Sequence, residues 1–141
     1  MAKQRTASDR YLVAAGGNTG TGVISTPIAI DANGYDRVLF AIARGPEVGG
    51  TKGEVSASVY ESATSGGSYV LRAGSLGTSG TSKESTVLLI EVDVAGATPF
   101  FKLYGTATTG GTGAIPIVAT AQLYRGTRVL PPSPDIAVIN A

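Results

Sequence analysis

Glu91 and Asp93 stand two apart in the run LLIEVDV, and on an extended strand that spacing turns both to one face. Paired carboxylates could hydrolyse a sugar bond, one acting as acid and the other as base or nucleophile. The same pair fits the solvated end of an ordinary strand. A glycosidase usually adds aromatic platforms, yet the chain has no Trp, and Phe100, Phe101 and Tyr104 alternate as a core strand would. Ser82, Lys83 and Ser85 form the one close Ser and Lys cluster, but they lie in a Gly/Ser/Thr loop where exposed polar residues are expected. The chain has no histidine and no cysteine. It therefore lacks the usual general base near neutral pH, the commonest metal ligand, and every thiolate and disulfide chemistry.

Ligand motifs fail at identifiable positions. The nearest approach to a phosphate loop runs from Gly45 to Lys52 and puts Thr51 where the lysine is needed. Asp31, Asn33 and Asp36 loosely resemble a calcium loop, but Tyr35 occupies the fifth position and no bidentate Glu follows at the right distance. A hairpin turn at Asn33 and Gly34 accounts for this stretch. Single-strand nucleic acid binding needs basic and aromatic residues interleaved on one face, and Tyr124, Arg125 and Arg128 alone come near it. With 11 basic and 10 acidic side chains, the net charge of +1 gives no field to draw in nucleic acid or anionic lipid. No catalysis, metal or cofactor is expected, and neither nucleic acid nor membrane is an expected partner. The polar first ten residues lack a signal-peptide core, and Val38 to Ala43, the longest apolar stretch, is too short to span a bilayer.

The elements that would carry these side chains are strands. Period-two alternation recurs in segments bounded by Gly, Pro, Asn and Ser, with no sustained helical period. Strands are expected at about 11–15, 22–30, 36–44, 54–61, 68–73, 86–94, 100–107 and 115–125, and eight of them suit an antiparallel β-sandwich or jelly roll. At 141 residues one core is expected. In the strand at 54–61, Val55, Ala57 and Val59 share one face, and Ser56, Ser58 and Tyr60 the other. Residues 38–43 are apolar on both faces, and Val87 and Leu89 are apolar on the outward side of their strand. Covering by a terminal arm, by a neighbouring subunit or by one of the chain's own loops would each account for this.

Both ends read as arms, residues 1–10 and 129–141, around a domain at 11–128. The first is polar and basic, with Lys3, Arg5 and Arg10. The second follows three prolines in four residues, which favour extended chain. It then turns apolar at Ile136, Val138 and Ile139, so it either folds back or docks on a neighbour.

The succession IDANGYDRVLFAIARG, VYESATSGGSYV, LLIEVDV, FFKLYGTA and IVATAQLYRGTRVLPP, over roughly residues 28–132, resembles a type of small head protein of tailed bacteriophages. The resemblance implies a decoration, or cement, protein: a β-sandwich, dimeric or trimeric, on the outside of the capsid. It would be made in the host cytoplasm and would brace adjacent capsomers through the major capsid protein. Arg5, Arg10, Tyr124, Arg125, Arg128, Val129, Leu130, Pro131, Pro132 and Ile136 are then the expected protein contacts, because Arg and Tyr cover apolar surface while presenting donors. A solvated end of the last strand is the plainer reading of the same positions. A head-to-tail connector, a tail tube or fibre domain, and a lectin-like carbohydrate-binding module are the alternative functions, the last weakened by the shortage of exposed aromatics.

Overall fold

The computed structural model describes residues 9–19, 21–25, 29–46, 53–79, 86–108, 114–125 and 137–141. These residues hold only strands and turns. In chain order the strands are β1 (Asp9–Thr19), β2 (Thr21–Ser25), β3 (Ile30–Asp31), β4 (Arg37–Arg44), β5 (Glu54–Ser62), β6 (Val70–Leu71), β7 (Gly77–Thr78), β8 (Thr86–Asp93), β9 (Phe100–Thr108), β10 (Ala114–Tyr124) and β11 (Ala137–Asn140). One sheet, sheet A, has the order β1-β10-β4-β8-β11. The other, sheet B, runs β2-β9-β5-β6, with β3 also on β9 and β7 also on β5.

The pairings are nested. β5 pairs with β6 and β7, β4 with β8, β2 and β3 with β9, and β1 with β10, all antiparallel. The chain thus behaves as one long hairpin wrapped into two facing sheets, which is the jelly-roll arrangement. Thr19 pairs with Ala114 and Thr21 with Thr108, so the two crossings between sheets lie side by side at one end of the sandwich. Arg44 sits at the same end, buried, with its guanidinium Nη1 donating to the Gly53 carbonyl at 2.7 Å.

Alternation sets the core. Val38, Phe40 and Ile42 from β4, Leu88, Ile90 and Val92 from β8, and Ile115 through Leu123 at odd positions of β10 face Val55, Ala57, Val59, Phe101 and Leu103 of sheet B. The expected split of β5 is observed, with Val55, Ala57 and Val59 buried and Ser56, Ser58 and Tyr60 turned outward. On the outward side of sheet A, Leu39, Ala41, Val87 and Leu89 are half-buried and Ala43 is exposed. Pro116 falls where β10 pairs only with β1, because the ladder to β4 starts at Ile117, so its missing N–H breaks no central bond.

Several expected elements differ. The 22–30 strand is two pieces, β2 and β3, on either side of residues outside the described set. The 68–73 strand contracts to Val70–Leu71, because the chain there bulges before resuming as β7. Across that bulge the buried Ser75 hydroxyl takes over the pairing of β5, accepting from Val59 N at 3.0 Å and donating to Val59 O at 3.2 Å. The turn at Asn33 and Gly34 is present but joins β3 of one sheet to β4 of the other, so it is a corner and not a hairpin. Tyr35 N donates to Ala32 O at 3.1 Å, and φ is +81° at Gly34 and negative at Asn33, which makes it a type II turn and fixes glycine at its third position. Asp31 Oδ1 accepts from the Asn33 amide N at 2.9 Å and is thereby spent on the turn.

The arm boundaries also shift. β1 begins at Asp9, so Arg10 belongs to a strand. At the other end, residues 137–141 are not a free tail: β11 pairs parallel with β8, Ala137 opposite Leu88 and Asn140 opposite Glu91. Ala141 N donates to Glu91 O at 2.8 Å, and Ile139 packs against the core.

Candidate functional site

Each sheet presents one worked outward face. On sheet A, register places Tyr124 opposite Arg37 and Arg37 opposite Asp93, with Glu91 one outward step along β8. Arg37 Nε and the Tyr124 hydroxyl both donate to Glu91 Oε1, and Arg37 Nη1 donates to Asp93 Oδ1. The Glu91 side chain is 0% exposed, whereas that of Asp93 is 60% exposed. Burial works against the Arg37 charge, but the hydrogen bond and charge of Glu91, then the charge of Asp93, outweigh it and push the guanidinium above its ordinary value. Burial first, then the hydrogen bond and charge of Glu91, hold the Tyr124 phenol well above its ordinary value, with Arg37 opposing. This arrangement keeps a phenol neutral and a carboxylate paired. The expectation that Glu91 and Asp93 form a solvated strand end therefore holds for Asp93 alone. Glu91 is enclosed because two donors from neighbouring strands converge on it.

Arg125, directly after β10, is exposed and held in place. Its Nε donates to Gly34 O at 2.9 Å, and its guanidinium lies 5.6 Å from the centre of the Tyr35 ring. The side chain is thus pinned to the corner turn while its surface stays open to a partner.

On sheet B the outward residues of the two central strands meet in cross-strand pairs: Ser56 with Thr106, Ser58 with Tyr104, and Tyr60 with Lys102. Tyr60 and Tyr104 pack edge to face, ring centres 4.9 Å apart at 72°. Lys102 Nζ lies 4.4 Å from the centre of the Tyr69 ring, and the Tyr69 hydroxyl donates to Ser65 O at 2.9 Å. Burial and then the neighbouring Tyr104 push the Tyr69 phenol up. The core assignment for Tyr104 is thereby corrected: Phe101 and Leu103 face inward, and Lys102 and Tyr104 face out. The parity of a nine-residue strand contains this information once its inward phase is taken from Phe101 and Leu103.

Of the expected contact residues, Tyr124 and Arg125 come together at one end of sheet A. The Tyr124 hydroxyl is engaged inside the domain, and Arg125 is presented outward. Arg10 lies on β1, opposite Gln122. Arg5, Arg128, Val129, Leu130, Pro131, Pro132 and Ile136 lie outside the described residues, as do Ser82, Lys83 and Ser85. Among the described residues no group of three acidic side chains is placed to hold a metal ion.

No family model matches the sequence, and no curated protein matches it. Solved structures do share its shape. A chain from the structure of the infectious bursal disease virus Gx strain superposes with a TM-score of 0.52 at 13% identity, covering 84% of this chain and 32% of that one. The fold is a jelly-roll β-sandwich. This chain spans about a third of the length of that viral chain. Looser likenesses are to a chain of the naturally occurring empty particles of Cowpea mosaic virus (TM-score 0.49, 12% identity, 95% of this chain and 97% of that one) and to the CBM22-1-GH10 modules of a Clostridium thermocellum xylanase complexed with xylohexaose (0.47, 9%, 89% and 27%).

Proposed function

We propose that this chain is a non-enzymatic structural protein of a virus particle, and that it acts as a decoration protein on the outside of a phage capsid, bracing adjacent capsomers. The observation that carries the first part is the nested jelly-roll wrap, shared with a viral chain over most of this sequence. The second part rests on the resemblance of residues 28–132 to phage head proteins. Bracing asks for a stiff block whose contact side chains are fixed in advance, since ordering them at the moment of binding costs affinity. Arg125, held by Gly34 and Tyr35 yet exposed, meets that demand. The major capsid protein is the intended partner, with two or three copies of the chain clustering at each position.

The test is to mix the purified protein with expanded capsids lacking it, pellet the particles and count bound copies by quantitative gel and cryo-EM. Saturation at a large, symmetry-related copy number is the expected result. A dozen or fewer copies at one vertex would reassign the chain to a connector, tail or fibre role, and no binding at all would remove the capsid reading.

A further inference from the structure

Two adjoining clefts open on the outward face of sheet B and share Tyr104 as a common wall. One, of about 290 Å³, is lined by Ser56, Ser58, Thr106, Leu76 and the strand backbone at Ala57 and Gly105. The other, of about 430 Å³, is lined by Tyr60, Tyr69, Lys102 and Gly67. Most of these side chains stand on β5 and β9, the two central strands of the sheet, so the ladder on both sides fixes their spacing. The rings are held as well: Tyr60 and Tyr104 brace one another edge to face, and Tyr69 is tied by its hydroxyl to Ser65 and capped by Lys102.

The chemistry of the lining selects among ligand classes. Neither cleft is lined by a carboxylate, which argues against a hard cation. One ammonium is too few to track a phosphate backbone. An acyl chain or apolar helix would leave the hydroxyls of Ser56, Ser58 and Thr106 buried without partners, a costly outcome. A pyranose ring has the matching pattern, with an apolar C–H face for a tyrosine ring and a rim of hydroxyls for serine and threonine. Successive sugars of a chain could occupy the two clefts on either side of Tyr104. Lys102 stands in the second cleft with its ammonium over Tyr69, 4.4 Å from the ring centre, where a sugar carboxylate would find a charge-assisted partner.

We propose that the outward face of sheet B binds an oligosaccharide that carries an acidic sugar, with Tyr104 as the central stacking platform and Lys102 as the partner of the carboxylate. This site is separate from sheet A and from the Arg125 corner, so it stands or falls independently of the capsid reading.

The test is affinity electrophoresis and calorimetry of the full chain against polygalacturonate, alginate, hyaluronate and polysialic acid, with dextran and xylan as neutral probes. The expected result is retardation by at least one acidic polymer, weakened at least tenfold by Tyr104→Ala. Lys102→Ala should abolish the preference for acidic over neutral chains. Ser58→Glu keeps every ring and sets a repelling carboxylate in the first cleft, so it should also weaken binding; this variant answers the question if Tyr104→Ala fails to fold. Val118→Ser, on the exposed face of sheet A, should leave binding unchanged. No retardation by any polymer, or binding that survives both Tyr104→Ala and Ser58→Glu, overturns the site. Equal retention of neutral and acidic polymers overturns the role of Lys102.

Discussion

Replacing Arg37 with Met tests the cluster on sheet A most directly. The substitution keeps the volume near that of the arginine stem but removes both ion pairs, and the two carboxylates left behind are not equivalent. Asp93 is 60% exposed and returns to water at little cost, whereas the Glu91 side chain is 0% exposed and keeps the Tyr124 hydroxyl, a neutral donor, in place of the lost cation. Removing one partner of a buried pair typically costs about 3–5 kcal/mol, and nearly all of it should come from Glu91. For a domain of this size that is a fall of about 10–15 °C in Tm. The decisive comparison is the double variant Arg37→Met with Glu91→Leu. If the cost is an uncompensated charge, the second change should restore about 2 kcal/mol or more, because apolar replacement of a whole buried pair is close to neutral. Urea unfolding followed by circular dichroism, for wild type, both single variants and the double, gives the coupling free energy. An Arg37→Met cost of about 1 kcal/mol or less, in the range of exposed pairs, or a double variant as weak as the sum of its parts, would refute the view that Glu91 is an enclosed charge.

Three other outcomes follow from the same structure. Ser75→Ala removes both hydrogen bonds that stand in for strand pairing at Val59; the carbonyl keeps the Arg72 N donor at 2.8 Å but the buried N–H loses the Ser75 hydroxyl, so a loss of about 1–3 kcal/mol in chemical denaturation is expected. Gly77→Ala would place a Cβ 2.7 Å from Ile139 Cγ1 and 3.0 Å from Leu88 Cδ1, forcing β11 away from β8; a cost of about 1–3 kcal/mol and faster amide exchange at residues 138–141 should result. The folded state holds the Tyr124 proton more tightly than the unfolded chain, so its contribution is complete below about pH 10 and drains away as pH rises through the raised folded value. Unfolding free energies measured between pH 8 and 11 should therefore decline at the alkaline end in the wild type and decline less steeply in Tyr124→Phe.

The sandwich was legible because one sheet face meets the core along each long strand, which writes a period of two most clearly into β5, while β4 and the first half of β8, apolar on both faces, showed as strands by their short apolar runs between turn residues. Where the chain departs from that period, sequence reasoning lost the thread. β6 and β7 are two residues each, too short to alternate, and the hydroxyl of Ser75 rather than any pattern bridges them. β11 follows a proline-rich run that reads as extended linker, and its docking depends on an edge of β8 whose existence sequence does not announce. Glu91 has the parity of an outward residue and is nonetheless enclosed, since its partners Arg37 and Tyr124 come from strands remote in the chain. Tyr104 is the opposite case: its parity was available, but its aromatic character suggested the core. Of the expected contacts, Arg125 could be singled out by type, while the corner that holds it required the turn at Gly34 to be brought beside the end of β10.

The nested pairing dictates an order of events. The innermost turn, β5 with β6 and β7, closes short loops and can form as soon as it is made, and β4 with β8 comes next. β1 has to wait for β10: Asp9 meets Leu123, and at the usual pace of synthesis that partner is added on the order of ten seconds later. During that interval β1 is an unsatisfied strand on a nascent chain, open to the wrong neighbour. Its composition suits the delay, since Gly16 and Gly17 lower its appetite for pairing until β10 supplies a ladder along its length. Wrapping from the inside outward makes β10, completed late in synthesis, the strand that closes sheet A onto its earliest, so a chain cut before residue 114 should stall with β1 unpaired and aggregate.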